Sequence, residues 1–93
     1  MQRITQANLD AILLRINKMT NSPLESSSRD ANGKWKANIG NYHFDHCYGG
    51  ISLLRMVNEV GGCTDVFSHR FTKREMYYQL HAFISGIESR QQL

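Results

Sequence analysis

Residues 38–62 read NIGNYHFDHCYGGISLLRMVNEVGG, and the way this stretch divides decides the fold. Its first half is polar and aromatic. As an extended strand it places His43 and Asp45 on one face and His46 on the other. Gly40-Asn41 is either a bulge or a second turn that folds Tyr42–Asp45 back as another strand; glycine suits both. In the second half, Leu53, Leu54, Met56, Val57 and Val60 fall on one side of a helical projection, with Ser52, Arg55, Asn58 and Glu59 outside it. The spacing predicts a short amphipathic helix between Gly49-Gly50 and Gly61-Gly62, with Gly61 supplying the left-handed conformation of a helix C-terminus.

Upstream, Thr5 is a candidate N-cap and Ile4 can staple onto Leu9. Leu9, Ile12, Leu13, Ile16 and Met19 then recur at three- and four-residue spacing, predicting an amphipathic helix over Gln6–Met19. Thr20-Asn21-Ser22-Pro23 stops it, because the residue before proline resists helical dihedrals. Ser26-Ser27-Ser28 reads as a turn or a ragged strand end. Asn32-Gly33 tolerates the positive φ of a tight turn and predicts a hairpin, with arms around Leu24–Arg29 and from Lys34 toward Phe44. Trp35, Ala37 and Ile39 share one face of the second arm. Downstream, Asp65-Val66-Phe67 is either a brief strand or loop. Thr72-Lys73-Arg74-Glu75 fits a capping box before Met76, Leu80, Phe83, Ile84 and Ile87, predicting a helix from Lys73 to Glu88 with Arg90–Leu93 frayed. The expected fold is α+β: one domain over residues 1–93, with three amphipathic helices packed on a small antiparallel hairpin or sheet and covering the face that carries Trp35.

A chain of 93 residues with 41% hydrophobic and 20% charged content can close one core, which argues against wholesale disorder. No apolar run reaches the roughly 18 residues of a membrane span, and the N-terminus lacks the apolar core of a signal peptide. The expectation is a cytoplasmic protein with no membrane partner. In that compartment Cys47 and Cys63 are expected to stay reduced. The net charge of +3 is too mild to announce nucleic-acid binding by composition.

His43, Asp45, His46 and Cys47, with Cys63 and His69 further on, are the densest set of metal-ligating residue types. They contain no paired Cys-x-x-Cys or His-x-x-x-His spacing, and strand alternation turns His46 away, so neither metal nor cofactor is expected. A nucleophile reading would activate Cys47 or Cys63 through His43 or His46. No oxyanion-hole signature accompanies them, and no catalytic residue is assigned. Gly49-Gly50 lacks the Lys-Ser/Thr of a phosphate loop and reads as tight packing beside Tyr48.

His69, Arg70, Lys73 and Arg74 put positive charge at the N-terminal turn of the last helix, where the dipole favours an anion beside them. They fit a phosphate or acidic-partner contact, against a solvated turn with Asp65 and Glu75 as local partners. On that helix Arg74, Tyr78, His81 and Ser85 share one outer stripe, and tyrosine and arginine are the types that anchor interfaces. The candidate binding residues are Arg70, Lys73, Arg74, Tyr78 and His81, with Tyr42, His43 and Asp45 from the extended run.

The strings Asn41-Tyr42-His43-Phe44-Asp45, Tyr48-Gly49-Gly50, Arg55-Met56-Val57-Asn58-Glu59 and Gly61-Gly62, followed by Thr72–Glu75, resemble small accessory proteins of tailed phages and prophages. The resemblance spans about the C-terminal two-thirds. It implies an accessory protein acting in the cytoplasm of an infected bacterium, and brings no catalytic residues. The leading expectation is therefore a small binding protein that occupies a host protein or complex, with a component of antiviral defence as a candidate target. The alternative is a nucleic-acid-associated regulator using the basic turn at 69–74. Homo-oligomerisation is open on either reading.

Overall fold

The computed structural model describes residues 3–91 as an α+β fold. Its elements are α1 (Gln6–Met19), β1 (Ser27–Arg29), β2 (Trp35–Ala37), β3 (Tyr42–Cys47), β4 (Gly50–Met56), β5 (Cys63–Asp65) and α2 (Lys73–Gln91). Two antiparallel sheets form, one of order β1-β2 and one of order β3-β4-β5. No described helix is long and apolar enough to cross a membrane.

The helix expected after Gly49-Gly50 is instead the central strand β4, paired on both sides. Two helices form among the described residues, not three. The physical reason lies in two-sided burial. Ile51 and Leu53 enter the main core while Ser52 and Met56, on the opposite face, are also buried. A strand apolar on both faces has no alternation, and a run of this kind mimics helical periodicity. Its seven residues suit a strand and are short for a helix. Beyond Met56 the chain turns instead of coiling: the Asn58 side-chain oxygen accepts from the amides of Val60 (3.1 Å) and Gly62 (2.8 Å), and Val57 N–H donates to Gly62 (2.9 Å). Gly61, at φ +98, belongs to this turn and ends no helix.

Both capped helices form where their signals place them. Thr5 and Asn8 make a reciprocal capping box at α1. At α2 the Thr72 hydroxyl accepts from Glu75 N–H and the Glu75 carboxylate accepts from Thr72 N–H (2.9 Å). α2 continues through Arg90 and Gln91, where fraying was expected; residues 92 and 93 lie outside the described residues. The helices pack on one another and on the sheet face that carries Tyr42, Phe44, Ile51 and Leu53, with Leu9, Ile16, Met76, Leu80 and Ile84 closing the core.

Two details lock this arrangement. Asn17, 2% exposed, donates its side-chain amide to Tyr42 O (3.0 Å) and accepts from Tyr42 N–H (2.9 Å), pairing with edge strand β3 as a neighbouring strand would. At the β3–β4 turn, Ile51 and Phe71 exchange backbone bonds of 2.8 and 2.9 Å, which draws the segment before α2 against Gly50.

Gly86 sits inside α2, and a Cβ there would meet nothing within 4 Å. Glycine loses more backbone entropy than alanine in a helix, so Gly86→Ala is expected to raise unfolding stability by about 0.5–1 kcal/mol, read from the urea midpoint.

Candidate functional site

Trp35 was expected under the helices, but it is 64% exposed on the β1–β2 hairpin. The register explains this. Its cross-strand partner is Arg29, and Ala37 faces Ser27, so the two strands offer no apolar face for a layer to cover. The Arg29 guanidinium instead lies over the indole, 4.9 Å from the ring centroid. The turn itself forms where Asn32-Gly33 placed it: the Asp30 carboxylate accepts from the amides of Asn32 and Lys34, and Gly33 takes φ +78.

The hairpin is held against the loop after β4. Ala37 N–H donates to Glu59 O (3.0 Å), Gly40 N–H to Met56 O (2.8 Å), and Lys36 lies 3.8 Å from the Glu59 carboxylate. Gly40-Asn41 is thus the second of the two alternatives, a turn leading into a separate strand. Between hairpin and loop lies a concavity of about 440 Å³ bordered by Trp35, Ala37, Met56, Val60 and Gly61. Val60 on its rim is 93% exposed. Among the described residues, five of the eight exposed large apolar side chains (Leu24, Trp35, Ile39, Val57 and Val60) belong to this hairpin and its flanking loops. That concentration makes this end of the molecule the strongest candidate for recognition.

The residues singled out from sequence fall in other places. Tyr42 is buried on the helix side, its ring 5.7 Å from Phe83 and under the Arg55 guanidinium. It floors a groove of about 690 Å³ with Met19, Phe83, Ile87 and Arg90. His43 and Asp45 alternate onto the opposite face, while His46 turns to the helix side and meets Gln6 at 3.0 Å, as strand geometry required. Asp45 pairs with Arg70 at 2.7 Å, and the same guanidinium donates to the carbonyls of Asp45 and Gly50. Arg70 therefore pins the β3–β4 turn. The Asp45 hydrogen bond raises the Arg70 pKa, with desolvation opposing it. His69 packs on Phe71, Lys73 is exposed and Arg74 is half-buried. Tyr78 and His81 are exposed on α2, His81 stacked edge-on against Tyr77 at 4.5 Å.

Glu75 has its pKa lowered by the backbone and side-chain hydrogen bonds from Thr72. A carboxyl with a depressed folded-state pKa contributes stability above its unfolded value and loses it as pH falls through the folded one. Acidification below the ordinary glutamate value of 4.5 is therefore expected to loosen the first turn of α2. A fall in amide protection there relative to the intrinsic exchange rate at each pH, absent in Glu75→Gln, is the measurement.

Both cysteines are free. Cys47 pairs with Gly50 and Cys63 with Met56, six positions apart along β4, so at strand rise the thiols' backbones stand about 20 Å apart, too far for a bridge. The Cys63 sulfur lies 3.7 Å from His43 Nε2. His43 Nδ1 is buried with no hydrogen-bond partner, so no third group orients the ring as a general base needs. Among the described residues, no group of three or more His, Cys, Asp or Glu side chains comes together to hold a metal ion.

No protein-family model, curated protein or solved structure matches the chain. Trp35 and Val60 were missed as surface residues because Trp35 alternates with Ala37 and Ile39 like a core strand. The signal against it was the opposing arm: Ser27-Ser28-Arg29 has nothing apolar to place beside an indole.

Proposed function

We propose that this chain is a small binding protein that acts by occupying a protein partner, with Trp35 as its anchor. The observation that carries the reading is the exposed indole at the mouth of a concavity that sets Ala37, Met56 and an almost fully exposed Val60 among Ser26, Ser27, Lys36 and Glu59. Tryptophan is the residue type most enriched among interface hot spots, and a hairpin braced by Glu59 presents it at little further entropic cost. The complementary partner surface has an apolar pocket wide enough for an indole, with a carboxylate placed for Arg29. The resemblance to tailed-phage accessory proteins supports a host-cell protein as that partner, with an antiviral-defence component as the target class and no catalytic step in this chain.

Trp35→Ala is expected to weaken the complex by about 30-fold or more, the effect of losing a hot spot of about 2 kcal/mol. Its unfolding free energy should change by no more than about 0.5 kcal/mol, as for a surface site. The assay is capture from infected bacterial extract, followed by titration of the purified partner. If Tyr78→Ala with His81→Ala abolishes binding while Trp35→Ala does not, recognition belongs to the outer stripe of α2 and the Trp35 reading fails.

The alternative, a nucleic-acid-associated regulator using the basic turn at 69–74 (His69, Arg70, Lys73 and Arg74), would show affinity falling steeply with salt. Engagement of Arg70 by Asp45 weighs against it, since that guanidinium is already spent on the fold.

A further inference from the structure

The face of the β3-β4-β5 sheet turned away from the helices carries three soft or borderline metal donors from three different strands. Cys63 on β5 is the direct register partner of Met56 on β4, and the Cys63 sulfur lies 3.7 Å from the Met56 thioether. The same sulfur lies 3.7 Å from His43 Nε2 on β3. Because Nδ1 of that ring is buried, Nε2 is the nitrogen able to serve a ligand. The geometry points to a binding site for a soft monovalent cation, Cu(I) or its analogue Ag(I), formed by His43, Met56 and Cys63.

The two separations from the Cys63 sulfur suit a metal shared between that sulfur and each of the other donors. Bonds of about 2.3 Å to sulfur and about 2.0 Å to nitrogen, opened to about 120°, separate a sulfur from a nitrogen by about 3.7 Å and two sulfurs by about 4.0 Å. The donor set also selects the ion. Thiolate and thioether prefer Cu(I), whereas zinc takes four ligands from thiolate, imidazole and carboxylate. A third ligand of zinc's kind is missing beside His43 and Cys63 among the described residues.

Access is open as well. Cys63 is exposed, and its thiol makes one further contact, 3.3 Å to Gly61 O, which the ion would replace. Met56 and Gly61 also border the Trp35 concavity, so the site lies beside it. On binding, the Cys63 thiol releases its proton to water and the thiolate takes the metal.

The test uses the reduced full chain under anaerobic conditions, with Cu(I) delivered against a competing chromophoric chelator. One Cu(I) per chain is expected, with an X-ray absorption signature of two sulfurs and one nitrogen. Cys63→Ser, Met56→Leu and His43→Gln should each weaken binding by about tenfold or more, while Cys47→Ser should not. Met56→Leu keeps side-chain volume, so its folded state can be verified by the urea midpoint and its result stands if His43→Gln proves unstable. Binding that follows Cys47, or that is indifferent to Met56→Leu, would overturn the site and reduce the Cys63–His43 contact to a hydrogen bond. Trp35→Ala, which tests the protein interface, should leave Cu(I) affinity in place.

Discussion

Asn17→Leu is expected to lower unfolding stability by about 3 kcal/mol, although leucine is the better helix former and more apolar. The loss comes from Tyr42. Its backbone N–H and C=O both point away from β4 and are answered by the Asn17 side chain at 2.9 and 3.0 Å, in a region closed to water. Leucine leaves both groups buried and unpaired, at about 1–3 kcal/mol each, and its methyls recover part of that through burial. Asn17→Asp keeps the acceptor for Tyr42 N–H but faces Tyr42 O with a carboxylate, and should be at least as damaging. Urea unfolding with unchanged m-value is the measurement. A loss below about 1 kcal/mol for Asn17→Leu would mean that solvent reaches Tyr42 and the clamp contributes little.

Gly50→Ala is the second large effect, also about 3 kcal/mol, from two causes that cannot both be relieved. Gly50 holds φ +117, a region that side-chain-bearing residues rarely adopt. A Cβ there would stand 2.7 Å from Phe71 O, a backbone atom fixed by the reciprocal bonds to Ile51. Moving Phe71 away parts that pair and withdraws Arg70 from the turn it pins. Gly33→Ala is the control: φ is +78 there too, but nothing lies within 4 Å, so only the conformational cost of about 1 kcal/mol applies. Equal losses at the two positions would show that strain alone, and not the approach of Phe71, makes Gly50 necessary.

What the sequence disclosed and what it hid follow from where each signal resides. α1 and α2 were legible because their boundaries are local chemistry: Thr5 as an N-cap, Thr72 with Glu75, and one-sided apolar stripes behind them. The Asn32-Gly33 turn was legible for the same reason. β4 was not, since its identity depends on neighbours: with β3 and β5 on its edges and burial on both faces, Ile51–Met56 carries no alternation to read. The exchange of a helix for a strand then displaced the rest. With β4 central, the larger sheet supplies the face for the helices, and Trp35 is left outside on a two-stranded hairpin. The candidate residues dispersed likewise. Asp45 and Arg70 are 25 positions apart and meet only through the Gly50 turn, and Cys63 reaches His43 across an intervening strand.

The ordering of elements along the chain has a consequence for biosynthesis. The oily side of the sheet is roofed by α1 and α2 together, which are bridged at their outer surface by Arg15 and Glu88. While the ribosome is still short of Lys73, Phe44, Ile51 and Leu53 have only half their cover, and completion waits for the last turns of α2 to leave the exit tunnel. Translation halted in that interval would release a chain whose apolar sheet face is still open, a substrate for chaperones and proteases.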